Sequence, residues 1–116
     1  MINQKQVLVP KVGTASVSSY DATADFTTEY IEFVNSHKDW SIDVDFSGVV
    51  TAATMTILVC NTYNGTYKSY KTLSTDIDMT VLENQVIFDD IMPFRYMKID
   101  YVAGTTTGDI SINVIL

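Results

Sequence analysis

The side chains that most readily do chemistry are scarce in this chain. His37 is its only histidine and Cys60 its only cysteine. A Ser-His-Asp or Cys-His site would have to be built on His37, which stands in the polar run Asn35-Ser36-His37-Lys38-Asp39 ahead of a strand-like segment. An exposed loop histidine is the simpler reading. Cys60 closes the apolar run from Met55 and reads as a small core hydrophobe, not a nucleophile. A single cysteine rules out an intrachain disulfide, and one His with one Cys rules out a zinc site.

Carboxylates are more plentiful. Glycosidases work with a pair roughly 5 to 9 Å apart. Asp43 and Asp45 alternate along one segment and would project from one strand face about 7 Å apart. Asp76 with Asp78, and Asp89 with Asp90, are further pairs near strand ends. A catalytic pair needs one partly buried member with a raised pKa, and solvated faces and turns explain these acids more simply, so no enzyme is expected. Loop aspartates also suit calcium, yet neither Asp76-Ile77-Asp78 nor Asp89-Asp90 matches a defined calcium loop. Calcium is the single cofactor left open; none is expected. Gly104 and Gly108 bracket a threonine tract without the lysine and following helix of a phosphate loop.

The aromatics are more suggestive. Tyr63, Tyr67 and Tyr70 crowd one segment with Lys68 and Lys71 interleaved, and Asn64 sits among them. Tyrosines offer large contact area at low entropic cost, at protein interfaces and on sugar-binding platforms. The alternative is that they pack on a neighbouring strand. Asn64-Gly65-Thr66 fits a glycosylation sequon but reads here as a turn.

The elements that would position these groups are strands. In Trp40-Ser41-Ile42-Asp43-Val44-Asp45-Phe46-Ser47 every second residue is apolar, the mark of a half-buried antiparallel strand. Thr54 to Cys60 is apolar or β-branched on both faces and predicts a central strand covered on each side. Asn64-Gly65 between this run and Thr66 to Tyr70 predicts a hairpin, with both turn residues at positive φ. Ile77 to Leu82 and Gln85 to Phe88 predict two short strands joined at Glu83-Asn84. Phe94 to Val102 and the alternation of Ile110, Ile112, Val114 and Leu116 predict two more, across the loop Ala103 to Asp109. Upstream, Tyr30 to Val34 and Val7 to Val9 read as strands, Val12 to Tyr20 as a strand or arm, and Ser36 to Asp39 as one helical turn. About eight or nine strands with turn signals between them predict an all-β antiparallel sandwich or jelly roll. The expected division is an arm or edge segment over residues 1–20 and a sandwich domain over 21–116.

Composition narrows the partners. With 116 residues, 47% of them hydrophobic and 18% charged, the chain suits one globular domain that needs no metal or disulfide. Seven Lys plus Arg against fourteen Asp plus Glu give a net charge of −7, and the basic residues are scattered. Nucleic acid and anionic membranes are therefore not expected as partners. The start lacks a secretory apolar region, and no stretch approaches the ~20 apolar residues of a membrane helix; synthesis in a cytoplasm is expected.

From Trp40 onward the order of segments resembles a known group. Trp40-Ser41-Ile42-Asp43-Val44, the Asn64-Gly65 hairpin, and Pro93-Phe94-Arg95-Tyr96-Met97-Lys98-Ile99-Asp100-Tyr101 before a Gly-Thr loop and last strand form one pattern. It resembles the small β-sandwich virion proteins of tailed bacteriophages, including head decoration and auxiliary capsid proteins. The Arg-Tyr-x-Lys-Ile stretch is also similar to discoidin-like jelly rolls that bind glycans or surfaces. The resemblance implies a non-enzymatic structural component of a virion, made in the host cytoplasm, homo-oligomeric (a trimer above other states), and docked onto other virion proteins such as a capsid lattice. Val7, Leu8, Val9, Pro10 and Val12 would belong to the attaching arm, and Tyr63, Asn64, Tyr67, Lys68, Tyr70 and Lys71 to a second contact surface. A tail or head–tail connector component and a carbohydrate-binding module are the alternatives.

Overall fold

Alternating apolar residues give this chain its strands, and the order in which the strands pair gives the fold. The computed structural model describes residues 6–8, 20–33, 40–48, 52–75, 77–78, 80–88 and 91–115, and ten strands lie among them. They are β1 (Gln6–Leu8), β2 (Tyr20–Asp21), β3 (Phe26–Thr27), β4 (Ile31–Glu32), β5 (Trp40–Phe46), β6 (Thr54–Cys60), β7 (Lys68–Thr72), β8 (Glu83–Phe88), β9 (Tyr96–Val102) and β10 (Asp109–Ile115). A single 3-10 turn, Leu73–Thr75, is the helical element among the described residues.

All pairings are antiparallel, and one set of them is nested. β6 pairs with β7, β5 with β8, β9 with β3 and β4, and β10 with β1 and β2. Outer and inner pairs of this long ribbon go to alternate sheets. One sheet runs β1-β10-β5-β8, with β2 also on β10; the other runs β3-β9-β6-β7, with β4 also on β9. That order is a rolled-up ribbon, a jelly-roll sandwich, as the strand pattern predicts.

The sheets meet on their apolar faces. Trp40, Ile42, Val44 and Phe46 of β5, Ile110, Ile112 and Val114 of β10, Met55, Ile57 and Val59 of β6, and Met97, Ile99 and Tyr101 of β9 are all buried. Burying each aliphatic or phenyl side chain contributes about 1.5–3 kcal/mol. Aromatic contacts tie the sheets at both ends. Tyr20 stacks on Phe26 at 4.2 Å and Phe26 on Tyr101 at 4.9 Å; Trp40 stacks on Phe88 at 4.1 Å and meets the edge of Phe33 at 5.2 Å.

Several local expectations are corrected. Thr54 to Cys60 is central in its sheet but alternates, with Thr54 exposed and Thr56 and Leu58 half-exposed, so its outer face meets solvent. Ile77, Asp78 and residues 80–82 are loop rather than strand, and Glu83 and Asn84 belong to β8. Asn84 is the reason: its side chain accepts a hydrogen bond from the Asp78 amide and donates to the carbonyls of Asp78 and Val81. The extended segment near Tyr30 shortens to Ile31–Glu32.

The hairpin turn also moves. Gly65 N–H donates to the Thr62 carbonyl, so the turn is Thr62 to Gly65 with Tyr63 and Asn64 at its centre. Only Asn64 has positive φ, at 58°. Gly65 is required by contact instead: a Cβ there would stand 2.6 Å from Cys60 Sγ. The Cys60 thiol holds this turn, donating to the Thr62 carbonyl at 3.2 Å and accepting from the Thr62 amide at 3.4 Å.

Candidate functional site

The sequence-predicted residues divide among three places. Val7 and Leu8 lie in β1, which pairs with β10 at the sheet edge (Val7 opposite Val114, Leu8 opposite Asn113). Val9, Pro10 and Val12 lie outside the described residues, as do His37, the 36–39 segment, Asp76, and Asp89 with Asp90.

Asp43 and Asp45 project from the outer face of β5, where inward neighbours force them by the period of two. Cross-strand registry sets Asp45 opposite Glu83 and Asp43 opposite Gln85. These four and Asn84 line a shallow concavity of about 280 Å³. Among the described residues no group of three His, Cys, Asp or Glu side chains is placed to hold a metal ion. Asp78 is a turn residue: its carboxylate accepts from the Thr80 amide and hydroxyl, and these bonds hold its pKa below the ordinary value.

The hairpin end of the sandwich is where the aromatics gather, but its three tyrosines do not make one platform. Tyr63, 59% exposed, sits in the β6–β7 turn against Tyr30 (ring centroids 5.6 Å apart) and Tyr96 (6.1 Å). Tyr67 lies under the Lys98 ammonium, 4.5 Å from the ring centre, and burial pushes its phenol up. Tyr70 packs edge-on to Phe94 at 5.3 Å, with Lys71 over its ring and over that of Phe88. Lys71 thereby spans from β7 to β8, which places both sheet ends on one side of the sandwich.

Tyr30, Glu32, Phe94, Arg95, Tyr96 and Lys98 belong to this end and were not legible as such. Arg95 Nε donates to Glu32 at 2.8 Å, its guanidinium stacks over Tyr96, and Glu32 holds the guanidinium pKa above its ordinary value. Asn61 accepts from the Arg95 amide, linking the β6–β7 loop to the start of β9. All four described cations (Lys68, Lys71, Arg95, Lys98) lie on the hairpin or in and just before β9, whereas the concavity beside Asp43 is acidic. Between the hairpin and Phe94 a half-open cleft of about 360 Å³ has Val59 and Cys60 as its floor, Tyr70 and Phe94 as walls, and a polar rim including Lys68.

A fourth place, which holds none of the sequence-predicted site residues, is the edge of β8. β8 pairs with β5 alone among the described residues, and its outer face carries Ile87, 71% exposed. Val81 and Leu82 just before the strand and Ile91 just after it are exposed as well. Among the described residues, four of the seven exposed large hydrophobics thus lie in or next to β8. Periodicity alone conceals this, because Ile87 alternates correctly and simply faces outward.

Among the described residues no helix is long and apolar enough to cross a membrane. Compared with known proteins, the chain matches no family model, no curated protein and no solved structure. Its class rests on the fold itself, an all-β jelly-roll sandwich.

Proposed function

We propose that this chain is a non-enzymatic structural component of a bacteriophage virion that docks onto an assembled protein lattice through the open edge of β8. The observation that carries the reading is the set of exposed apolar residues Val81, Leu82, Ile87 and Ile91 in and beside β8, a strand that among the described residues is paired on one side only, with β5. Natural edge strands are ordinarily blunted by lysine, proline or bulges, and β8 (Glu-Asn-Gln-Val-Ile-Phe) has none of these between Glu83 and Phe88. An edge left open in this way suits strand addition to a neighbouring sheet.

A component that binds the assembled lattice but not free subunits stabilises the assembly by mass action. Capsid decoration is the favoured setting, and a tail or head–tail connector position uses the same edge. The hairpin surface and β1 at the opposite sheet edge offer further contacts, and a homotrimer is the expected self-associated state. Light scattering of the full chain tests the edge. The chain gives a defined oligomer, and Ile87→Lys, at a largely exposed position that the fold tolerates, reduces it to monomer. An oligomer unchanged by Ile87→Lys contradicts docking through β8.

A further inference from the structure

The cleft at the hairpin end has no role in lattice docking through β8, and its chemistry is different. Its size falls at the small end of ligand sites, roughly 300–1,000 Å³. The floor is apolar, the walls are the rings of Tyr70 and Phe94, and the rim carries Asn61, Ser69 and Lys68. The ligand that fits is small, with an apolar face and a hydroxylated edge. A pyranose ring has that form: its axial C–H face lies against aromatic rings while its equatorial hydroxyls meet polar side chains.

Lys68 narrows the class. Lys71 lies over the rings of Tyr70 and Phe88, Lys98 over Tyr67, and Arg95 is paired with Glu32. Lys68 is exposed at the cleft, and no carboxylate or ring partner holds it among the described residues. In a chain of net charge −7 this is an unusual place for an uncompensated cation. We infer that the cleft between the β6–β7 hairpin and Phe94 is a binding site for a carboxylate-bearing sugar unit, a uronate or sialate residue of an acidic glycan, with the ring against Tyr70 and Phe94 and the carboxylate on Lys68.

This inference does not rest on the virion reading and survives its failure. The test is a two-dimensional amide NMR titration of the full chain with glucuronate, N-acetylneuraminate and glucose. Both acidic sugars shift the amides of residues 66–70 and Phe94 and bind more tightly than glucose by up to about five-fold, the worth of one exposed ion pair. Lys68→Gln abolishes that preference. Tyr70→Leu, which keeps apolar volume, weakens all three sugars. The inference is overturned if none of the sugars moves these amides at tens of millimolar, or if the acidic preference persists in Lys68→Gln. It is equally overturned if the hairpin amides move with protein concentration alone, together with Asp43 and Asp45, because the occupant is then the acidic face of a second copy.

Discussion

Tyr101→Phe removes a single oxygen from the middle of the sandwich, and its cost can be worked from the structure. Tyr101 is fully buried on β9; its hydroxyl donates to the Ala22 carbonyl at 2.8 Å and pairs with the Thr106 hydroxyl at 2.9 Å. These bonds join the β2–β3 turn and the β9–β10 loop to the core. Ala22 and Thr106 are themselves buried, so neither recovers a partner from water. Leaving a buried acceptor or donor unsatisfied costs about 1–3 kcal/mol. With the ring retained on Phe26 no cavity of consequence opens, and the summed loss is about 2–3 kcal/mol. For a domain of this length each kcal/mol lowers Tm by about 3–6 °C, which gives a fall of about 6–18 °C. Calorimetry and urea titration read it directly. Thr106→Val alone costs less, and the double variant falls short of the sum of the singles because the two hydroxyls share one bond. A Tyr101→Phe protein within about 0.5 kcal/mol of the parent, or strict additivity with Thr106→Val, refutes the reasoning.

Two other perturbations test the local architecture. Gly65→Ala sets a Cβ 2.6 Å from Cys60 Sγ and 2.9 Å from the Thr62 carbonyl; it lowers the urea midpoint by an overpacking cost of about 1–3 kcal/mol, and Cys60→Ala recovers part of that loss in the double variant. Asp78, held below its ordinary pKa by the Thr80 amide and hydroxyl, contributes stability above the unfolded-state value of 3.8 and loses it as the pH falls through the lower folded value. Asp78→Asn therefore lowers the urea midpoint at about pH 6, and the gap to the parent closes on acidification below the ordinary carboxylate range.

The sandwich was legible because two of its long strands, Trp40 to Phe46 and Asp109 to Ile115, alternate with a period of two, and the other two are rich in apolar and β-branched residues. Trp40 to Phe46, Thr54 to Cys60, Tyr96 to Val102 and Asp109 to Ile115 were each placed nearly to the residue, and their apolar members form the core. The two-residue strands Tyr20–Asp21 and Phe26–Thr27 are too short for a period to show; registry on β10 and β9 makes them. The 77–82 segment failed for another reason. Its alternating Ile77, Asp78 and β-branched neighbours mimic a strand, but Asn84 recruits the backbone of Asp78 and Val81 into a loop. Asn64-Gly65 located the hairpin correctly and its turn wrongly, since the Cys60 thiol draws Thr62 into the turn.

The candidate surfaces were half legible. Tyr63, Tyr67, Tyr70 and Lys68 do lie at one end of the molecule, as their spacing suggests. What spacing could not give is their partners: Tyr30 comes from β4's approach, and Phe94, Arg95, Tyr96 and Lys98 from the start of β9, about 24 to 33 positions away in sequence. The β8 edge was illegible for a topological reason. Only the strand order shows that β8 is terminal in its sheet among the described residues.

The most direct measurement of the central claim is the location of the chain in a phage lysate. Purified particles are banded on a density gradient and probed with antibody against the full chain. The account predicts that the chain bands with intact particles at a fixed copy number per particle, and that Ile87→Lys chain added to particles lacking it does not bind. A chain found only in the soluble fraction, absent from washed particles, contradicts the account.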